Sequence, residues 1–323
     1  QNIYSIDQSR PDAVLVLSGD HIYKMDYLRM LRAHIRKRAA LTVGAITVPL
    51  VQAHAFGVME ADDRGRITGF SEKPESPRPV PGQPDKAFVS MGIYIFETEL
   101  LKDVLKQDSR DPGSGHDFGK DVLPGLIGQV PVYAYHFVDE NRKEELYWRD
   151  VGTIDAYWEA NMDLVSVDPV FNLYDEKWPI HTYNESAPPA KFVFADVECG
   201  RHGGRVGLAI DSLVSQGDII AGGQVIRSVL SPRVRVDEKA RVDESILFEG
   251  VRVGAGSRLR RTIVDKFVTI PPGTEVGFDR RADEQRFTVS DGGVVVIPRR
   301  ARLKRRRVHR NPLPTPPIQR SSA

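Results

Sequence analysis

The chain has 323 residues, enough for two domains, with 41% hydrophobic and 28% charged side chains, the balance of an ordinary folded protein rather than a disordered or fibrous one. Lys and Arg number 45 against 44 Asp and Glu, so no global basic field marks the chain for nucleic acid. A single cysteine, Cys199, excludes an internal disulfide framework and fits a reducing cytoplasm; no apolar run reaches the ~18 residues of a membrane span, and none reads as a signal peptide.

Residues 1 to 165 read as α/β. Strands are predicted at Ala13 to Leu17, Ala40 to Val48, Gly57 to Glu60, Ile67 to Ser71, Phe88 to Phe96 and Val132 to Phe137. Helices are predicted at Tyr27 to Arg38, Glu99 to Leu105, Phe118 to Leu123 and Ile154 to Leu164. That alternation predicts a mostly parallel sheet, with Ala13 to Leu17 as a buried parallel strand. Residues 166 to 205 carry Trp178-Pro179 and Pro188-Pro189 among recurring aromatics and read as an ordered linker. From 206 to 297 the pattern changes. Leu230, Val236, Val242, Phe248, Val253, Leu259, Val264, Ile270 and Val276 recur near every sixth position, with two intervals one residue short. That period fits neither a helix nor a flat sheet and predicts a β-helix with one short strand per face; a plain β-meander is the alternative. Residues 298 to 323 are basic and proline-rich, a composition that predicts disorder.

Four motifs carry candidate chemistry. Gly19-Asp20-His21 follows the first strand, where open α/β sheets bind ligands; Asp20 is either a Mg²⁺ ligand, with Gly19 letting a nucleotide approach, or the cap of the next helix. In Phe70-Ser71-Glu72-Lys73-Pro74 a strand ends in a charged pair. Lys73 can bind a sugar phosphate as a point charge and Glu72 can accept from sugar hydroxyls, or the two form an exposed ion pair. Asp150, in Tyr147-Trp148-Arg149-Asp150-Val151-Gly152-Thr153, is either a second metal carboxylate or part of a helix start. His116-Asp117-Phe118-Gly119-Lys120-Asp121 reads as capping and loop packing, with no catalytic role assigned.

Taken in order, the run from Gly19 to Lys24 through Ala55 to Met59, Glu72-Lys73-Pro74, Ser90 to Tyr94, His116 to Asp121 and Tyr147 to Thr153 resembles the bacterial glucose-1-phosphate adenylyltransferases. The similarity extends through Trp178-Pro179-Ile180, Pro188 to Phe192 and Asp211 to Ser215, and covers residues 1 to 297. It implies a Rossmann-like α/β nucleotidyltransferase domain followed by a left-handed parallel β-helix. It also implies synthesis of ADP-glucose and pyrophosphate from ATP and glucose 1-phosphate, in the cytoplasm, for glycogen, by an allosteric homotetramer. By motif match Asp20 and Asp150 would hold Mg²⁺, Lys73 would bind the phosphate of glucose 1-phosphate, and Gly57, Glu72 and Ser90 would line the sugar pocket.

Two departures accompany the resemblance. The family's N-terminal strand and glycine-rich phosphate loop are not in the sequence, so the chain reads as N-terminally truncated and, as given, is expected to have little activity. The residues after Pro298 do not resemble the family's basic C-terminal end, which serves its effector site. Alternative readings are another sugar-nucleotide pyrophosphorylase, a non-catalytic assembly subunit, a hexapeptide-repeat acyltransferase, which leaves residues 1 to 165 unexplained, and nucleic-acid binding through the basic tail, which has no interleaved aromatic residues.

Overall fold

The computed structural model describes residues 3–137, 147–183, 186–193, 206–301 and 303. Cys199 and nearly all of the predicted disordered tail lie outside the described residues. The chain divides into two compact units, Gln1–Asp150 and Val151–Ala323, and each is described by itself. No helix among the described residues is long and apolar enough to cross a membrane.

The first unit opens with α1 (Ile3–Ser9), β1 (Ala13–Val16), β2 (His21–Tyr23), α2 (Tyr27–Lys37) and β3 (Leu41–Pro49). It continues with β4 (Gly57–Ala61), β5 (Ile67–Glu72), β6 (Lys86–Glu97), α3 (Thr98–Asp108), α4 (Leu123–Leu126), β7 (Val132–His136) and β8 (Trp148–Asp150). The α2 helix begins where Asp26 accepts from the Leu28 N–H at 3.0 Å and ends at Arg38 in the left-handed region, the usual stop for a helix. Successive side chains of a strand face opposite ways, and β6 uses both faces. Val89, Met91, Ile93 and Ile95 pack with Met30 of α2, whereas Tyr94 and Phe96 pack with Leu101 of α3 and Leu123 and Leu126 of α4.

The main sheet is mixed rather than mostly parallel. Its order is β5-β4-β6-β3-β7, with β1 also on β6. β1, β3 and β4 all run antiparallel to β6, and β3 runs parallel to β7. The alternation of strands and helices had implied helical crossovers, but β3 reaches β4 through one short 3-10 segment, Leu50–Ala55, and β4 and β5 form a hairpin. The hairpin link permits only antiparallel pairing, while β3 and β4 run the same way on either side of β6 and are joined by that short segment without a crossover helix. β1 is likewise not a buried parallel strand. Among the described residues it pairs with β6 alone, and Leu15 and Leu17 are 38% and 43% exposed.

In the second unit three sheets, parallel except where Thr288–Val289 pairs antiparallel with Val295–Ile297, wind into a β-helix. Gln224 pairs in register with Arg241, Arg241 with Arg258 and Arg258 with Glu275, so each coil between Gln224 and Glu275 takes 17 residues. The inward column is Leu230, Val236, Val242, Leu247, Val253, Leu259, Val264, Ile270 and Val276, each at most 1% exposed. Leu247 replaces Phe248 in it, and the spacing then repeats strictly as six, six, five. Phe248 instead packs outside the coil beside Ile154, Tyr157, Trp158 and Met162 of α5 (Ile154–Leu164). The first rung starts before residue 206, since Lys191–Val193 pairs with Ile219–Ala221.

Hydroxyl side chains satisfy the polar corners of the coils. The N–H groups of Ser228, Ser245 and Thr262 donate to the hydroxyls of Ser212, Ser228 and Ser245 at 3.1, 3.0 and 3.1 Å. Each hydroxyl in turn donates to the carbonyl two residues before it. A further buried acceptor is Asp218, which takes the N–H groups of Ser215 and Val234 at 2.9 and 2.7 Å. Burial pushes its carboxyl up to about 7 despite these two bonds. A carboxyl raised in the folded state contributes most stability below its unfolded value near 4, and that contribution is lost as pH rises through about 7. Urea unfolding is therefore expected to show wild-type stability falling by roughly 2–4 kcal/mol over that window relative to Asp218→Asn; a difference between the two that does not change with pH contradicts this.

Candidate active site

Two short strands missing from the predicted elements build the site. β2 and β8 pair antiparallel, with His21 opposite Asp150, Ile22 opposite Arg149 and Tyr23 opposite Trp148. This ladder brings Asp20 and Asp150 together from near the two ends of the first unit. Asp20, His21 and Asp150 each offer one ligand atom within 4.8 Å of those of the other two. Neither aspartate caps a helix. Asp26 caps α2, and Thr153 caps α5 by accepting from the Ala156 N–H at 3.1 Å. Asp20 is exposed and receives the Ser18 hydroxyl at 3.2 Å. A side chain built at Gly19 would meet nothing within 4 Å, so the approach to Asp20 is open.

His21 is the residue that sequence reasoning passed over. Its side chain is 11% exposed, its Nε2 lies 3.9 Å from Asp20, and its ring meets Trp148 edge to face at 5.2 Å. The buried Nδ1 has no hydrogen-bond partner among the described residues. The signal was present in its place beside Asp20, but its pairing with Asp150 is not visible along the chain.

The other predicted site residues line one cleft of about 410 Å³, together with His21 and Asp150. Gly57, Glu72, Lys73 and Ser90 are all on its wall. Glu72 ends β5 and is half-buried between two glycines. A Cβ at Gly57 would stand 2.8 Å from its Oε2, and one at Gly119 2.6 Å, so both positions need glycine for the carboxylate to sit there. Burial, and then the charge of Asp117, raise the Glu72 carboxyl above its usual range, and Lys73 opposes them. Lys73 is exposed, has a positive φ of 45° and donates its N–H to the Phe56 carbonyl at 3.1 Å. Among the described residues no ion pair joins it to Glu72, so the pair is not a strand-end salt bridge. Ser90 is 8% exposed, and its hydroxyl accepts from the Gly92 N–H at 3.2 Å. Tyr94, Asp117, Phe118 and Trp148 share the cleft and were given no role from sequence.

The arrangement sets a pair of open carboxylates beside a cleft that offers one lysine, a half-buried carboxyl and aromatic walls. Such a set can hold a divalent ion with phosphate oxygens next to a polyhydroxylated anion.

Both units match known protein families. Residues 2–167 match the family model described as nucleotidyl transferase, and residues 188–297 match that described as GlmU-like, C-terminal hexapeptide. The latter match identifies the coils of the second unit as a left-handed β-helix. A glucose-1-phosphate adenylyltransferase of Koribacter versatilis is 51% identical over 300 residues, covering 93% of this chain and 70% of its own. Those of Rhodopirellula baltica and Methylococcus capsulatus are 52% and 47% identical, and the matches cover 67% and 69% of their lengths. The chain belongs to the glucose-1-phosphate adenylyltransferase family of nucleotidyltransferases.

Proposed function

We propose that the protein transfers AMP from ATP to glucose 1-phosphate, giving ADP-glucose and pyrophosphate. The observation that carries this reading is the convergence of Asp20 and Asp150 beside the cleft that contains Lys73 and Glu72. In the reaction a phosphate oxygen of the sugar phosphate attacks the α-phosphorus of ATP, and the bond to the β-phosphate oxygen breaks to release pyrophosphate. Both reactants are anions, so catalysis depends on alignment and on offsetting repulsion.

Each residue has a defined task in this reading. Lys73 holds the phosphate of glucose 1-phosphate and reduces its repulsion from the triphosphate. Glu72 accepts from sugar hydroxyls, and Gly57 and Ser90 shape the wall beside it. Asp20 and Asp150 are the ligands of Mg²⁺. Their ligand oxygens lie within 4.8 Å of each other, close enough for one divalent ion to be shared between them. Held there, Mg²⁺ would supply positive charge to offset that of the phosphates and the leaving group. His21 is a poor partner for so hard an ion; packed against Trp148, it fixes the position of Asp20 rather than joining the ligand set. Family membership also supports an effector-regulated homotetramer working in the cytoplasm for glycogen synthesis.

Three measurements on the full-length protein test this reading. Lys73→Ala is expected to raise KM for glucose 1-phosphate about 10- to 100-fold with kcat little changed, because the contact persists from ground state to transition state; a loss in kcat at unchanged KM contradicts it. Asp20→Asn and Asp150→Asn are each expected to lower kcat/KM at least ~100-fold and to raise the Mg²⁺ concentration for half-maximal rate. An unaltered Mg²⁺ requirement in both variants removes the metal assignment. Because Glu72 is protonated at higher pH than an ordinary carboxylate, KM for glucose 1-phosphate should climb as pH falls from neutral. In Glu72→Gln that climb should vanish, leaving a high, flat KM; a wild-type slope preserved in the variant assigns the titration to another group.

A further inference from the structure

The segment from Ser114 to Asp121 was read from sequence as capping and packing, yet its first residues form a closed hydrogen-bond network beside the cleft. His116 Nδ1 lies 2.7 Å from Asp108 Oδ2, at the end of α3. The Ser114 hydroxyl donates to Asp108 Oδ1 at 2.6 Å and accepts the His116 N–H at 2.9 Å. Asp108 is 14% exposed, and its bonds from Ser114 and His116 hold its carboxyl below the usual range. The acceptor therefore stays ionised, and Nδ1 of the ring is its donor. The backbone of His116 is held at a φ of 58°, an uncommon state for a residue other than glycine that surrounding structure must enforce. Backbone and ring are thus both fixed, and His116 lines the same cleft as Lys73 and Glu72. Its Nε2 has no hydrogen-bond partner among the described residues.

The charge of the cleft indicates what that nitrogen meets. Among the described residues lining it, Glu72, Asp117 and Asp150 are acidic, and Lys73 is the sole lysine or arginine. Even with Asp150 given to the metal, one lysine beside the carboxyl groups of Glu72 and Asp117 is a poor receptor for a phosphate group, which carries close to two negative charges at neutral pH. An imidazole held by a carboxylate can supply a second cation once it is protonated, and a hydrogen bond from the protonated ring to phosphate is charge-assisted.

We propose that His116 binds the phosphate of the sugar-phosphate substrate through Nε2–H, in the cleft it shares with Lys73, with Asp108 and Ser114 as positioning residues that aim its ring. With Nδ1 donating to Asp108 and Nε2 to phosphate, the bound ring is the imidazolium. The inference rests on the reading of the cleft as the glucose 1-phosphate site, and it adds a residue that sequence reasoning gave no role.

Asparagine and glutamine separate the two ring nitrogens. The amide of Asn reaches the place of Nδ1, keeps the bond to Asp108 and tolerates positive φ, but has nothing at Nε2. The amide nitrogen of Gln reaches the place of Nε2. In steady-state assays of the full-length protein, His116→Asn is expected to raise KM for glucose 1-phosphate about 10-fold, with KM for ATP and kcat within about twofold. His116→Gln is expected to recover much of that loss. A His116→Asn variant with unchanged KM for glucose 1-phosphate, or a His116→Gln variant worse than it, overturns the proposal and leaves the histidine a loop-packing residue. Lys73→Ala distinguishes the two levels. If it raises KM for glucose 1-phosphate while His116→Asn does not, only the histidine proposal fails; if neither does, the reading of the cleft fails with it.

Discussion

The site depends on three residue pairs. The ladder of β2 and β8 joins His21 to Asp150 across nearly the whole first unit, and without it the two carboxylates have no reason to be neighbours. Like charges this close repel, and their repulsion is tolerable only where water or a cation screens it. Both aspartates are exposed, which keeps the unliganded pair inexpensive, while the backbone beneath them is held by aromatic packing. Trp148 contacts both His21 and Phe56 edge to face, and Tyr23 does the same with Phe137. A two-stranded ribbon of three-residue strands is not stable alone; these rings attach it to the main sheet's core.

The cleft beside it works on the opposite principle. Glu72 is placed where solvent is scarce, and two glycines make the space. Its raised carboxyl and the fixed ring of His116 show polar groups held in position by backbone geometry and second partners rather than by direct pairing with each other. The proposed recognition of a sugar phosphate uses that division, with buried acceptors for hydroxyls and projecting cations for phosphate.

Much of this could be read from the chain, and the exceptions have identifiable causes. Long apolar runs such as Leu41–Pro49 and Lys86–Glu97 announce themselves by composition, and Ile154–Leu164 has the helix bounds that its cap at Thr153 predicts. Strand direction did not follow from the same runs, because it is set by the links, and a hairpin at Asp62–Gly65 looks like any other polar turn. The β-helix period was visible, but the choice between Leu247 and Phe248 was not. Both are apolar, and only the five-residue corner of each coil decides which one faces inward. The candidate residues Gly57, Glu72, Lys73 and Ser90, named from their motifs and the family resemblance, line one cleft. His21, Tyr94 and Trp148 were not legible, since their roles arise from a pairing that local pattern cannot encode. His116 was visible and set aside, because a histidine beside an aspartate in sequence says nothing of Asp108, which reaches it from the end of a helix.

The central claim is that Asp20 and Asp150 share one divalent ion. Crystals of the full-length protein grown with Mn²⁺ and ATP, measured at the manganese absorption edge, test it most directly. The account predicts a single anomalous peak about 2 Å from a carboxylate oxygen of each aspartate, touching the phosphates. A peak bound to one aspartate alone, or to the nucleotide at a distance from both, would contradict it.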